Sequence, residues 1–198
     1  VLFRSTVNKK ITVNENNQTI EVSYDKLFLS PGGEPVKPPI KGIDNVNHVY
    51  FMRGREWADK IKKRMATAKK VLVVGGGYIG IEAAEAFTKA GIDTKIIDIS
   101  ERILSTYLDK EFTDILEDNA EKHGLNFISN ETVKSLEADK NGNLNKIITD
   151  KNEYEADTVI FAVGVIPSTQ WLDTKIKLGT KGIIEVDDYL QTSAKDVY

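Results

Sequence analysis

The spacing of apolar residues changes period twice along this chain, and each change marks a different kind of element. Near the start, Lys10–Asn14 and Gln18–Ser23 alternate apolar and polar residues on either side of Glu15-Asn16-Asn17. A period of two belongs to a strand, so this stretch predicts a β-hairpin. The apolar run Leu27–Leu29 predicts one further strand. A hairpin and one strand are too little for an independent core and must pack on something else. The period then becomes helical: Trp57, Ile61, Met65 and Ala68 recur at spacings of four, four and three, one face of a helix from about Arg53 to Ala66. The run VLVV at 71–74 suits a strand buried on both faces. In the helix that follows, Ile79, Ala83, Phe87 and Ala90 share a face, and Gly91 stands where a left-handed C-terminal residue is favoured.

Lys95–Ile99 is the next predicted strand. A third helix spans about Lys110 to Lys122, with Phe112, Ile115, Leu116 and Ala120 as its expected buried face and His123-Gly124 at its end. Leu125–Ile128 is a third short strand. The period then returns to two: Thr132–Ala138 and Leu144–Thr149 flank Asn141-Gly142-Asn143, whose Asn and Gly accept the positive φ of a hairpin turn. A last apolar strand, Thr158–Val163, ends at Gly164. Alternating strand and helix, then a β-meander and a final strand, is the order of a compact nucleotide-binding α/β domain. Four of the five prolines fall in SPGGEPVKPPIKG, residues 30–42. Proline fixes φ and removes a donor, so this segment reads as a connection between two folded pieces, with the boundary at residues 31–46.

Composition narrows the class. A chain of 198 residues is one domain, or one domain and part of another. With 27 basic against 30 acidic residues, net −3, it lacks the basic excess of a nucleic-acid binder. Apolar stretches such as Val71–Val74 fall far short of the ~20 residues of a membrane span, and the opening VLFR is no signal peptide, so the expectation is a soluble cytoplasmic protein. There is no cysteine, hence no disulfide, thiolate metal site or cysteine nucleophile within these residues, and two histidines are too few for most His-based metal sites. No metal is expected.

The most informative residues are Gly75-Gly76-Gly77-Tyr78-Ile79-Gly80, a G-x-G-x-x-G between a predicted buried strand and a predicted helix. In this pattern Gly75 permits the tight turn, Gly77 leaves room for a pyrophosphate and Gly80 lets helix and strand pack closely. The helix N-terminus then presents unpaired N–H groups and its positive dipole end to the phosphates. The second strand runs into Asp98, 23 residues beyond Gly75, where a carboxylate can accept hydrogen bonds from an adenosine ribose. A carboxylate there repels a 2′-phosphate, so NAD(H) is preferred over NADP(H). Other groups read as structural. Arg102 suits a solvated turn; Lys60, Lys62, Lys63, Arg64, Lys69 and Lys70 suit the wet face of an amphipathic helix; Asp109, Glu111, Asp114 and His123 suit helix dipoles. His48 is assigned no role, and two isolated histidines support no Ser-His-Asp arrangement.

The stretch VLVVGGGYIGIEAAEAFTKAGIDTKIID, followed by RILSTYLDKEFTDIL, resembles the NAD-binding domain of the flavin-dependent NADH oxidases and NADH peroxidases, within the pyridine nucleotide-disulfide oxidoreductase superfamily. The flanks YDKLFLSPGG, MRGREW, ADTVIFAVGVIPST and GIIEVDDYLQTSAKDVY resemble the family's crossings between its NAD and FAD domains. The resemblance implies a Rossmann-like three-layer NAD-binding domain with an inserted β-meander, flanked by partial FAD-domain strands. It divides the chain into 1–46 (FAD domain), 47–167 (NAD(H) domain) and 168–198 (return to the FAD domain). Carried over position by position, it places the NAD pyrophosphate on Gly75, Gly76, Gly77 and Gly80 and the adenosine ribose on Asp98. Tyr107 would lie against the adenine, Tyr78 and Ile79 between nicotinamide and flavin, Glu82 near the carboxamide and Gly164 beside the nicotinamide half. Ser30, Pro31, Gly32, Gly33 and Arg53 match positions that contact FAD.

Family members also carry a separate FAD glycine fingerprint and a redox-active cysteine before this region, and a C-terminal dimerisation domain after it. The chain is therefore read as a piece of a homo-oligomeric parent, with no catalytic residue of its own and no turnover alone. Ile166 stands where many relatives have arginine. The expected function is that of the NAD(H)-binding portion of an enzyme passing hydride from NADH to FAD and on to oxygen or peroxide. Two alternatives stay open: a non-catalytic NAD(H)-binding sensor or scaffold, and a SAM-dependent methyltransferase.

Overall fold

The computed structural model describes residues 2–6, 8–16 and 18–198. In chain order it begins with β1 (Leu2–Ser5), β2 (Lys10–Glu15), β3 (Gln18–Ser23) and β4 (Gly33–Pro35). Next come β5 (Val49–Phe51), α1 (Gly54–Met65), β6 (Lys70–Val74), α2 (Tyr78–Lys89), β7 (Asp93–Ile97), α3 (Lys110–Lys122) and β8 (Asn126–Ile128). The chain ends with β9 (Val133–Ala138), β10 (Leu144–Thr149), β11 (Glu153–Glu155), β12 (Thr158–Phe161), β13 (Val165–Pro167) and a 3-10 turn at Thr180–Gly182. Two compact units result, residues 35–164 and residues 1–34 with 165–198. No helix among the described residues is long and apolar enough to cross a membrane.

The unit 35–164 is built on a parallel five-stranded sheet of order β5-β12-β6-β7-β8. Its strands alternate their burial between two cores, as apolar runs must when both faces are covered. Val71, Val73, Ile96 and Ile160 pack with Ile61 of α1 and Ala84 and Phe87 of α2. Leu72, Ile97, Val159 and Phe161 face the other way, onto Val133, Leu136, Leu144 and Ile147 of the antiparallel β9-β10-β11 meander. Helices, sheet and meander form three layers, the Rossmann-like α/β class that the sequence order predicts. Each predicted parallel strand is present; β7 starts two residues earlier than expected and ends at Ile97, and β12 stops at Phe161. Gly91 and Gly124 close α2 and α3 at φ +77 and +82, in the left-handed region that favours glycine.

Two helix faces differ from the sequence pattern. On α2 the core face is Gly80, Ala83, Ala84 and Phe87, while Ile79 and Ala90 are exposed. On α3 most of the expected face is turned outward: Phe112, Ile115 and Leu116 are 59%, 67% and 37% exposed, whereas Ala120 packs on the core as expected and Thr113 is fully buried. The reason is polar anchoring. The Arg102 guanidinium donates to Thr113 Oγ1 at 2.7 Å, and the Ile103 N–H donates to Glu117 Oε1 at 2.8 Å, which fixes the helix with its Thr113–Glu117 side inward. Arg64 also departs from the wet-face reading. Its side chain is largely buried, pairing with Asp157 at 3.1 Å and donating to Thr158 Oγ1 at 2.9 Å. Ile115→Ser should therefore change stability by less than about 0.5 kcal/mol, whereas Phe87→Ala should cost about 3–5 kcal/mol. Urea denaturation of both variants measures this, and equal losses would show the α3 stripe to be a core face.

The other unit contains the β1-β2-β3 sheet and the short β4-β13 pair. The predicted hairpin is present, with Lys10 opposite Ser23, and β2 runs one residue further than expected, so that Glu15 pairs with Gln18 instead of belonging to the turn. The expected strand at Leu27–Leu29 is reduced to a parallel bridge, Leu27 with Val197. A small core joins Leu27, Leu29 and Trp171 to Ile176, Ala194 and Val197.

Candidate functional site

At the C-terminal end of β6 the chain turns through Gly75, Gly76 and Gly77 into α2. Gly75 sits at φ +114, and a Cβ there would meet the Ala162 carbonyl oxygen at 2.6 Å. A Cβ at Gly80 would stand 1.9 Å from the Gly75 carbonyl oxygen. Both positions are small because the protein's own backbone fills the space. Gly77 is different. Its backbone is ordinary and extended, φ −81 and ψ 179, and a Cβ there meets nothing within 4 Å. Neither crowding nor backbone conformation requires glycine at Gly77, and the space beside it is open to a ligand. Gly77 is also the N-cap of α2 and supplies no side-chain cap, which leaves the first N–H groups of the helix available to an anion.

Asp98 follows β7 and is tied to this turn. Its Oδ2 accepts from the Gly76 N–H, and its Oδ1 accepts from the Ser100 N–H at 2.7 Å. The Leu104 N–H donates to the Gly76 carbonyl at 2.9 Å, so the Gly76 residue is held from both sides. A cleft of about 700 Å3 opens here, within the ~300–1,000 Å3 typical of small-molecule sites. Its lining includes Gly75–Gly77, Asp98, Tyr107 and Gly164. Gly164 stands at φ +99 with open space where a Cβ would point.

The expected site residues do not all meet. Tyr107 is 62% exposed and leans on Tyr78, their ring centroids 4.8 Å apart. Tyr78, Ile79 and Glu82 lie exposed on the first two turns of α2, and none of the three lines the cleft. Arg53 is the exposed N-cap residue of α1. Ser30, Pro31, Gly32 and Gly33 belong to the other unit, where Gly32 stands at φ +68 and its carbonyl accepts from the Ser168 N–H at 3.1 Å. Sequence reasoning missed Ile99, which follows β7, is 71% exposed and lines the cleft, and it missed the Val36–Ile40 segment of the lining. An apolar residue directly after the ribose acid was the available signal for Ile99. His48, left without a role, stands at φ +68; burial, then the nearby Arg64 charge, push its pKa below the ordinary histidine value.

A glycine turn with a ligand-sized opening, a helix N-terminus and an acid bonded to that same turn are the parts of a dinucleotide site. The pyridine nucleotide-disulphide oxidoreductase family model matches residues 4–198. The chain belongs to this family. An NADH oxidase of Enterococcus faecalis is 43% identical over 184 residues, 93% of this chain and 41% of that protein. An NAD(P)H coenzyme A polysulfide/persulfide reductase of Pyrococcus horikoshii is 34% identical over 196 residues, 95% of this chain and 42% of that protein. Among solved structures, the water-forming NADH oxidase from Lactobacillus brevis bound to NADH matches with a TM-score of 0.91 at 35% identity, over all of this chain and 44% of that one. The chain thus spans about two fifths of the length of the curated relatives it matches.

Proposed function

We propose that this chain is the NAD(H)-binding portion of a flavin-dependent NADH oxidase or NADH peroxidase. The observation that carries the reading is the contrast at the glycine turn: Gly75 and Gly80 are filled by backbone, while Gly77 is open and neither crowding nor its φ requires glycine there. A pyrophosphate fits that opening, meeting the N-terminal N–H groups of α2. Asp98, already held by the Gly76 and Ser100 N–H groups, accepts from the ribose hydroxyls and disfavours a 2′-phosphate. Tyr107 offers an aromatic face at the adenine end, and Gly164 allows backbone approach at the nicotinamide end. Tyr78 and Ile79, exposed at the start of α2, are the residues that would stand between nicotinamide and flavin, and Glu82, one turn further, would stand near the carboxamide.

Ser30, Pro31, Gly32, Gly33 and Arg53 are the residues of this chain that would contact FAD. In the whole protein FAD takes hydride from NADH and passes electrons to oxygen or peroxide. This chain's task is to hold the nicotinamide in reach and to keep its orientation, which is worth more than any proton transfer it could make. The printed sequence has no cysteine, so a thiol step would belong to residues outside it.

Calorimetric titration with NADH and, separately, with SAM tests the reading. NADH should bind and SAM should not; binding of SAM alone overturns it.

A further inference from the structure

Residues 36–41 read in sequence as a linker, yet they run along the nucleotide cleft and are pinned at both ends. The Val36 N–H donates to the Gly164 carbonyl at 3.0 Å, beyond the C-terminal end of β12. At the other end Lys41 bridges Ser135 of β9, and the Leu136 N–H donates to the Lys41 carbonyl at 2.8 Å. Between these anchors, Val36, Pro38, Pro39 and Ile40 line the same cleft as the glycine turn. Ile40 is steadied from behind by the meander-side core. Pro38 and Pro39 carry no N–H, and the Ile40 N–H is spent on the Pro38 carbonyl at 2.8 Å. The Pro38-Pro39-Ile40 backbone thus has no free donor and can face a ligand's apolar surface at no hydrogen-bonding penalty on that side. Lys134, at the start of β9, lines the cleft as well and is exposed; its charge also reaches Asp150, whose carboxyl it helps to hold below the ordinary value.

We propose that the Pro38-Pro39-Ile40 strap and Lys134 form a second wall of the dinucleotide site, in addition to the glycine turn and Asp98. The strap covers apolar faces of the base and sugars, and the Lys134 ammonium adds positive charge toward the anionic ligand. The inference rests on the NAD(H)-binding reading above. It gives the prolines a reason beyond the chain's connectivity: a fixed φ holds the wall in place before the ligand arrives.

The test is NADH binding by the full 198-residue chain, followed through NADH fluorescence, with Pro39→Asp, Pro39→Arg and Lys134→Glu. Pro39 and Lys134 are both exposed, so thermal midpoints of the variants should stay with the parent. Pro39→Asp and Lys134→Glu should each weaken NADH by about tenfold, the effect of a negative charge placed some 10 Å from a phosphate at a surface dielectric. Pro39→Arg should bind at least as well as the parent. Unchanged affinity in both acidic variants, with the parent binding normally, overturns the second wall and leaves the nucleotide reading intact. No binding by the parent overturns the nucleotide reading and this inference with it.

Discussion

Replacing Gly77 with valine should leave the fold standing and remove NADH binding, while the same change at Gly75 should strongly destabilise the fold. At Gly77 the backbone is extended and a Cβ meets open space, so the loss of stability is limited to the helix N-cap preference for glycine over valine, about 1 kcal/mol. The new side chain would occupy the volume a pyrophosphate needs. Loss of that contact should weaken binding at least a hundredfold, equivalent to about 3 kcal/mol. At Gly75, φ +114 and a contact of 2.6 Å with the Ala162 carbonyl oxygen cannot be relieved by a rotamer change. Strain of this kind, a β-branched residue in a glycine-only conformation against backbone, should cost about 3 kcal/mol or more. Thermal melts paired with NADH titrations separate the two effects. If Gly77→Val binds NADH as the parent does, the phosphate is not at this turn.

The second large effect is expected at Asp98. Asp98→Ala removes an acceptor from the Gly76 and Ser100 N–H groups and from the ribose at once. Hydrogen bonds to a charged group contribute about 1.5–3 kcal/mol, so NADH affinity should fall about ten- to a hundredfold. Removal of the carboxylate also removes its repulsion of a 2′-phosphate, so the preference for NADH over NADPH should narrow. Asp98→Asn separates the two contributions. Its amide oxygen can still accept one of the two N–H groups, but the side chain is neutral, so discrimination should fall further than affinity does. Titration of each variant with NADH and with NADPH gives both quantities, and an unchanged ratio in Asp98→Asn would remove Asp98 from the choice of cofactor.

The parallel sheet and the turn were legible because their signals are local. VLVV must be buried on both faces, and a G-x-G-x-x-G at its end has few other structural uses. What was hidden depended on partners distant in sequence or on elements too short to show a period. The α3 pattern of Phe112, Ile115 and Leu116 obeys helical spacing, yet the orientation of the helix is decided by Arg102 and by the Ile103 N–H, polar contacts that periodicity does not register. Strands β4, β5, β11 and β13 are three residues each, below the length at which alternation can be distinguished from chance. The place of residues 36–41 on the cleft was hidden for a related reason. Proline reports on the local backbone, whereas its place on the cleft wall follows from bonds to Gly164 and Leu136, about a hundred residues away.

The hydrogen bond between Val36 and Gly164 also bears on how the chain folds. It joins the two ends of the 35–164 unit, which is inserted whole into the other unit. If residues 1–34 had to find 165–198 across an unfolded insert of on the order of a hundred residues, closing that loop would cost about 4 kcal/mol in chain entropy. Once the inserted unit has folded, its ends are neighbours and the intervening chain behaves as a short turn. The nucleotide unit thus acts as an internal template for the discontinuous one, and folding of the flanks should follow it in time rather than precede it.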